Sequence, residues 1–232
     1  IDPDTFDAWI ETIQACRRGV GGGDENNNNK VILWLLASGK EMQENVKLWC
    51  RNKHHDDDDF LVFCNVVPRN QHLQRLRCAD VFLDTPAYNA HTVGCDVLHA
   101  GVPMISLLTL PTPQSSSSSS LPFGDKWASR VGASLLRAAG LYDDLVCNDM
   151  RSYQEKMMQC VRDKEWFEGI KKKLRYNLDA ECPLFDTKRW VENLSVGFEK
   201  AVEHYHTIQE KQMQTNEHLS DIVIVDDQED AS

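Results

Sequence analysis

The residues best placed for chemistry are a histidine, a threonine and an aspartate at one predicted helix start. His91, Thr92 and Asp96 lie in the segment NAHTVGCDVLHAGVPM, which follows the strand-like run VFLDT. A helix that begins at the carboxyl end of a parallel strand presents unpaired N–H groups and the positive end of its dipole, which suits a phosphate. The segment therefore predicts a site for a nucleotide or another phosphate-bearing ligand.

Each polar group at this helix start has a predicted role. The side chains of His91 and Thr92 are placed to cradle a phosphate, together with the backbone N–H groups of Val93 and Gly94. The Asp96 carboxylate, one turn further along, can accept hydrogen bonds from ribose hydroxyls. Together these groups would serve the phosphate and the ribose of a nucleotide.

A second loop, VVPRNQHLQR, follows the apolar run 60–64 and carries two basic candidates. Arg69 and His72 are predicted to contact the base or to add positive charge, and Arg75 lies three residues beyond His72. Ligands of open α/β sheets bind at the carboxyl ends of the strands. This loop, the segment after VFLDT, and LLTLPTP with the helix start at Asp125 should therefore meet at one edge.

Several common catalytic and cofactor motifs do not occur in the sequence. It has no Gly-rich dinucleotide fingerprint, P-loop lysine, G-x-S-x-G elbow or H-E-x-x-H metal motif. The His54–His55–Asp56 run is interpreted as a solvated loop, because nothing nearby would fix metal ligands. No general base stands out, so the catalytic residues stay unassigned, and neither a metal nor a cofactor is predicted.

The elements that must position these residues alternate between apolar runs and helical patterns. Strands are predicted at 31–36, 60–64, 81–84 and 104–107, and helices at 2–17, 41–51, 69–77 and from about His91 to Gly101. Such a succession predicts an α/β fold with a Rossmann-like, doubly wound parallel sheet.

The carboxyl-terminal third of the chain is predicted to be helical. Helices are expected from Asp125 to Gly140, at 149–161, at 164–177 and from Asp186 onwards. The last helix carries an apolar stripe that is interpreted as core packing. The stripe consists of Trp190, Leu194, Phe198, Ala201, Val202 and Tyr205.

Composition limits the partners and the compartment. The formal net charge of −11 argues against a nucleic-acid binder with an extended basic face. No apolar run reaches membrane-spanning length, so no membrane partner is predicted. The 8 cysteines are scattered without C-x-x-C spacing, which favours reduced thiols and therefore the cytoplasm and nucleus.

Low-complexity runs suggest how the chain is divided. Runs near 21–29, 54–59 and 114–120 are interpreted as surface-loop insertions in a lobe that spans 1–206. Residues 207–232 are polar and acidic, which predicts a disordered tail. Because the chain begins at Ile1 and not at methionine, we expect it to be a piece of a longer protein.

Long stretches of the sequence resemble one family of glycosyltransferases. The matching segments include IDPDTFDAWIETI, VILWLL, ADVFLDTPAYNAHTVGCDVLHAGVPMISL, KWASRVGASLLRAAGL and CPLFDTKRWVENL, in that order. They are similar to the carboxyl-terminal half of the catalytic region of O-linked N-acetylglucosamine (O-GlcNAc) transferases. These nucleocytoplasmic enzymes carry tetratricopeptide repeats and transfer N-acetylglucosamine from UDP-GlcNAc to Ser/Thr hydroxyls.

The resemblance implies a GT-B fold, of which this chain would be the C-terminal, donor-binding lobe. Its partners would be UDP-GlcNAc, protein acceptors, and the N-terminal lobe and helical repeats of the same protein. The residues given roles by the resemblance are Val67, Pro68 and Arg69 at the uracil, His72 at the base or its ribose, His91, Thr92 and Val93 at the diphosphate, and Asp96 at the ribose.

Two residues depart from the family's pattern. Arg69 stands where the family usually has lysine, which retains the charge, and Val93 stands where it usually has threonine. Loss of one hydroxyl contact to a charged group should weaken diphosphate binding by roughly 1.5–3 kcal/mol. The family's diphosphate-binding lysine would fall just before Ile1 and its proposed base in the other lobe, so we expect the chain alone to bind the donor weakly and to transfer nothing.

Other interpretations of the same residues stay open. The lobe could belong to a related protein O-fucosyltransferase that uses GDP-fucose, although Asp96 and Ala100 are typical of the GlcNAc type. It could also be a degenerate, non-catalytic interaction module, or an unrelated doubly wound domain for another nucleotide sugar. A comparison of UDP binding with GDP binding would separate the GlcNAc transferase from the fucosyltransferase, since preference for GDP would exclude the first.

Overall fold

The structure is a computed structural model that describes residues 1–19, 31–37, 39–54, 58–109, 126–180 and 182–215. The predicted insertions at 21–29 and 114–120, residues 55–57 of the predicted insertion at 54–59, Asp125 and residues 216–232 lie outside the described residues. By contacts, the chain divides into one unit at Ile1–Leu184 and another at Phe185–Ser232.

Helices and strands alternate through the first half of the chain, as the hydrophobic pattern predicts. The strands are β1 (Leu33–Leu36), β2 (Leu61–Cys64), β3 (Phe82–Leu83), β4 (Met104–Leu107) and β5 (Val146–Cys147). The helices are α1 (Pro3–Gly19), α2 (Lys40–His54), α3 (Arg69–Leu76), α4 (Thr92–His99), α5 (Val131–Ala138), α6 (Tyr142–Leu145), α7 (Met150–Arg162), α8 (Lys164–Asp179) and α9 (Thr187–Thr215). Short 3₁₀ turns lie at Asp58–Phe60 and Trp127–Ser129.

All strand pairs in the described residues are parallel, as predicted, but they form two hydrogen-bonded sheets. One sheet pairs β1 with β2, and the other has the order β3-β4-β5. The sequence analysis missed β5, because two residues are too short to show a hydrophobic period. β3 is likewise two residues long, shorter than the predicted strand at 81–84.

The core of the first unit is built around β4. All four of its residues are buried, and helices α4, α5, α6 and α7 contact it. Helix α1 packs on α7 and buries Trp9, Ile10 and Ile13. A strand covered in this way is mostly apolar, and Met104–Leu107, in which Ser106 is the one polar residue, has the bounds predicted from the sequence.

Helix α9 begins where the sequence indicates and is longer than expected. The Asp186 carboxylate accepts a hydrogen bond from the Arg189 N–H at 3.0 Å, which caps the first turn. The helix continues to Thr215, so the predicted boundary near 206 falls inside it. Its apolar stripe was interpreted as core packing, but Trp190 and Phe198 are 61% and 65% exposed. Periodicity identifies an apolar face and does not say what covers that face.

Among the helices in the described ranges, none combines the length and the apolar character needed to cross a bilayer.

Candidate functional site

The predicted phosphate-binding helix start is present and no side chain caps it. Helix α4 begins at Thr92, directly after His91, whose φ of −93° and ψ of −96° are not helical. The first helical hydrogen bond runs from the Cys95 N–H to the His91 carbonyl at 3.1 Å. The N–H groups of the first turn therefore have no carbonyl of the same helix to bind, and they suit an anion.

The His91 imidazole lies between two exposed aromatic side chains. Its ring stacks on Tyr88 with centroids 4.9 Å apart, and it meets the Trp127 ring edge-on at 5.4 Å. Among the described residues, the buried Nε2 atom of His91 finds no hydrogen-bond partner. Because an unsatisfied buried polar atom costs free energy, Nε2 is a strong candidate to bind a ligand oxygen.

Thr92 and Val93 are exposed at this helix start, while Gly94 is buried. A Cβ at Gly94 would lie 2.7 Å from the Leu135 Cδ1, so any larger residue would require the Leu135 side chain on α5 to move. Gly94 thus offers its backbone N–H and positions the helix. The Val93 side chain offers no hydrogen bond, as the sequence analysis noted.

Two residues predicted for different parts of a nucleotide contact each other directly. Arg69 Nη2 lies 2.7 Å from Asp96 Oδ1, which joins the first turn of α3 to α4. The Arg69 side chain is 71% exposed and that of Asp96 is 16% exposed. The structure therefore brings the two loops together as predicted, and it places the candidate ribose acceptor in an ion pair that the sequence did not indicate.

His72 and Arg75 form a second cluster on α3. Arg75 Nε and Nη2 lie 3.3 and 3.2 Å from His72 Nδ1, and Arg75 Nη1 donates to the Asn65 carbonyl at 2.8 Å. The guanidinium also lies over the Trp34 ring, 5.7 Å from its centroid. Arg75 thus orients His72 against the end of β2, a role that sequence spacing alone had not assigned.

Val67 and Pro68 lie in the loop between β2 and α3. Pro68 is exposed and stands at the cap position of α3, where its carbonyl accepts the His72 N–H at 3.0 Å. Val67 is half-buried. Both precede Arg69 directly, so they share its side of the site.

Sequence reasoning missed two buried polar residues beneath the His91 turn, Asp84 and Asn89. Their side chains accept hydrogen bonds from the Ala90 and Gly132 N–H groups at 2.7 and 3.0 Å. Burial raises the pKa of Asp84 to about 6, and hydrogen bonds from Ser106 and the backbone only partly oppose this. The sequence does carry a signal for Asp84, because this polar residue ends the otherwise apolar strand run at 81–84.

The described residues contain no group of three or more His, Cys, Asp or Glu side chains arranged to hold a metal ion. Residues 55–57 of the His54–Asp59 run lie outside them. All 8 cysteines are free thiols.

Known proteins similar to this chain are named for glycosyl transfer. The probable UDP-N-acetylglucosamine–peptide N-acetylglucosaminyltransferase SEC of Arabidopsis thaliana is 40% identical over 200 residues, which are 86% of this chain and 18% of that protein. The UDP-N-acetylglucosamine–peptide N-acetylglucosaminyltransferase of Caenorhabditis elegans is 30% identical over 194 residues, which are 84% of this chain and 14% of that protein. The chain thus spans less than a fifth of these relatives.

Among solved structures, a mutant O-GlcNAc transferase of Thermobaculum terrenum shares the fold. It superposes with a TM-score of 0.69 at 22% identity, over 86% of this chain and 33% of that one. This likeness confirms the predicted α/β fold class.

The sequence profile of glycosyl transferase family 41 matches residues 1–194, a range that includes both loops of the candidate site. Because the match covers most of the chain and agrees with the curated relatives, this chain belongs to glycosyltransferase family 41.

Proposed function

We propose that this chain is the UDP-GlcNAc-binding part of a protein O-linked N-acetylglucosaminyltransferase that acts on Ser/Thr hydroxyls. The observation that carries the proposal is the start of α4. There, the uncapped first turn and the unpartnered Nε2 of His91 adjoin the Arg69–Asp96 pair. The names of the relatives, all UDP-N-acetylglucosamine–peptide transferases, support this donor.

The proposed arrangement of the donor follows the chemistry of each group. The diphosphate accepts hydrogen bonds from the first-turn amides of α4, from Thr92 and from His91 when Nε2 carries the proton. The ribose hydroxyls donate to Asp96, which pairs with Arg69 through Oδ1 and would receive them at Oδ2. Val67, Pro68, Arg69 and His72 line the uracil side.

Such an arrangement would assist transfer by stabilising the leaving group. Breaking the bond between the sugar and UDP leaves negative charge on the diphosphate, and preorganised donors that face this charge lower the barrier. The proposal assigns no residue of this chain as general base. Acceptor recognition and transfer would take place in a longer protein with a second lobe and helical repeats. That protein would act in the cytoplasm and nucleus, where free cysteines persist.

Calorimetric titration of the chain with UDP, UDP-GlcNAc and GDP tests the proposal. We expect UDP and UDP-GlcNAc to bind and GDP to bind at least tenfold more weakly. Asp96→Ala should weaken UDP binding by roughly 10- to 100-fold, since a hydrogen bond to a charged group contributes about 1.5–3 kcal/mol. The melting temperature should change little.

Asp80→Ala is the matched control, because Asp80 is an exposed aspartate that contacts Lys171 on α8 and lies before β3, away from the strand end that leads to His91. It should leave UDP affinity unchanged. Preference for GDP would favour the fucosyltransferase interpretation, and absence of binding to every nucleotide would favour a degenerate module. Either result would overturn the proposal.

A further inference from the structure

The turn between β3 and α4 carries two polar side chains that are withdrawn from solvent. Asp84 is 0% exposed and Asn89 is 2% exposed. Burying a carboxylate and an amide is costly unless their hydrogen bonds are made inside the protein. Neither side chain contacts the proposed ligand-binding surface, so their burial needs another explanation.

Asp84 is bound from three directions. Its Oδ1 accepts the Ala90 N–H at 2.7 Å, and its Oδ2 accepts the Ser106 hydroxyl on β4 at 2.7 Å. The Tyr153 hydroxyl on α7 donates to the Asp84 carbonyl at 2.9 Å and accepts the Trp9 Nε1–H at 3.1 Å. The beginning of the turn is therefore tied to β4, α7 and α1.

Asn89 ties the end of the same turn to another helix. Its Oδ1 accepts the Gly132 N–H at 3.0 Å, an amide in the first turn of α5, and its Nδ2 donates to the Thr85 carbonyl at 3.0 Å. The Asn89 N–H donates to the Ala128 carbonyl at 2.9 Å. Both the side chain and the backbone of Asn89 are thus held.

These contacts converge on the residue that precedes His91. Ala90 is held through its own N–H by Asp84, and its neighbour Asn89 is anchored to α5. The direction in which the chain enters α4, and with it the position of the His91 ring, depends on this backbone.

We propose that Asp84 and Asn89 are positioning residues that hold the His91 turn in the conformation that binds the diphosphate. The inference rests on the proposed function and extends it from the residues that touch the donor to the buried groups that orient them. Since neither residue touches the donor, their loss should affect diphosphate recognition through the backbone and leave recognition of the uridine intact.

The test compares two ligands that differ only in the diphosphate. Affinities for UDP and uridine are measured for the unaltered chain, Asp84→Ala and Asp84→Asn. We expect Asp84→Ala to lose at least tenfold in UDP affinity and less than twofold in uridine affinity. Asp84→Asn should recover most of the loss, because its amide oxygen can still accept the Ala90 N–H. Equal losses for both ligands, or no loss of UDP affinity, would overturn the inference.

Tyr153→Phe is a milder variant in case Asp84→Ala does not fold. It removes only the hydroxyl that donates to the Asp84 carbonyl. We expect a two- to fivefold loss of UDP affinity with uridine affinity unchanged, and Asp80→Ala is the control with no effect on either. Loss of uridine affinity by the same factor as UDP would identify a general structural effect and overturn the inference.

Hydrogen exchange tests the anchoring without a ligand. In Asp84→Ala and Asn89→Ala, the hydrogen-bonded amides of Asn89, Ala90 and Cys95 should exchange at least tenfold faster, while those of β1 and β2 should keep their rates. Unchanged exchange at these three amides would overturn the inference whether or not UDP binds. Absence of UDP binding by the unaltered chain, in contrast, would contradict the proposed function.

Discussion

The two loops that form the candidate site are held in different ways. The turn after β3 is anchored by the buried side chains of Asp84 and Asn89, which bind β4 and α5. The loop after β2 is held by longer side chains nearer the surface, with Arg75 on the Asn65 carbonyl and Arg69 on Asp96. The turn after β3 is therefore anchored in the core, and the loop after β2 is held near the surface.

Under the proposed function, the two loops would play different parts in donor binding. A rigid turn suits the diphosphate, because donors that are already oriented need no reorganisation when charge develops on the leaving group. An exposed loop whose side chains keep their rotamer freedom pays an ordering cost on binding and can adjust to the base.

Gly132→Ala should be the most damaging substitution. A Cβ at Gly132 would overlap Asp84 Oδ2 and Ser106 Oγ, so the first turn of α5 would have to move away from the buried network. We expect a loss of about 3 kcal/mol in the free energy of unfolding, at the upper end of the range for overpacked cores, together with weaker UDP binding. Urea unfolding measures the first effect and calorimetry the second.

The control for this substitution is Gly169→Ala in α8. Nothing lies within 4 Å of a Cβ at Gly169, so alanine should stabilise the helix by up to about 1 kcal/mol. Equal stability changes at the two glycines would mean that α5 does not depend on its close approach to Asp84.

Stability should depend on pH through Asp84. Burial raises the pKa of this carboxyl from 3.8 to about 6, so between these values the folded chain holds a proton that the unfolded chain has lost. The free energy of unfolding therefore falls as pH rises through this window and levels off above about 6, a loss of about 2–3 kcal/mol at 1.36 kcal/mol per pKa unit.

Asp84→Asn cannot ionise and should lack this part of the pH dependence. Urea unfolding of both proteins between pH 4 and 7.5 would show a difference in stability that grows with pH. If the free energy of unfolding of the two proteins changed with pH in parallel, groups other than Asp84 would cause the pH dependence.

Arg69→Ala should have the smallest effect on stability and a measurable effect on binding. The Arg69 side chain is 71% exposed, and exposed ion pairs contribute about 0–1 kcal/mol. We expect a change in melting temperature of at most a few degrees and a three- to tenfold loss of UDP affinity by calorimetry. Arg69→Lys, which keeps the charge, should lose less than threefold.

Arg151→Ala is the matched control for Arg69, since this exposed arginine on α7 forms a similar pair with Glu155. It should not change UDP affinity. If Arg69→Ala destabilised the chain as strongly as Gly132→Ala, the two loops would not differ in the way that their burial suggests.

Much of the fold could be predicted because its signals are local. Element ends can be identified from neighbouring residues in three cases: the mostly apolar run at Met104–Leu107, the Asp149 cap of α7, and Gly140 with φ of +71° at the end of α5. The short β5 could not be predicted, because its two residues become a strand only by pairing with β4. The split into two sheets likewise depends on pairing between distant segments.

The alternation of strands and helices, the helix start near His91 and the family of the chain can be inferred from the sequence alone. The folded chain is needed to show that Arg69 pairs with Asp96, that Asp84 is buried and that the stripe of α9 is exposed. The difference arises because these two groups of features depend on contacts at different sequence separations. Helix starts and hydrophobic periods are set by residues within a few positions, whereas Asp84 finds its partners 22 and 69 residues away, where only the packed fold can bring them.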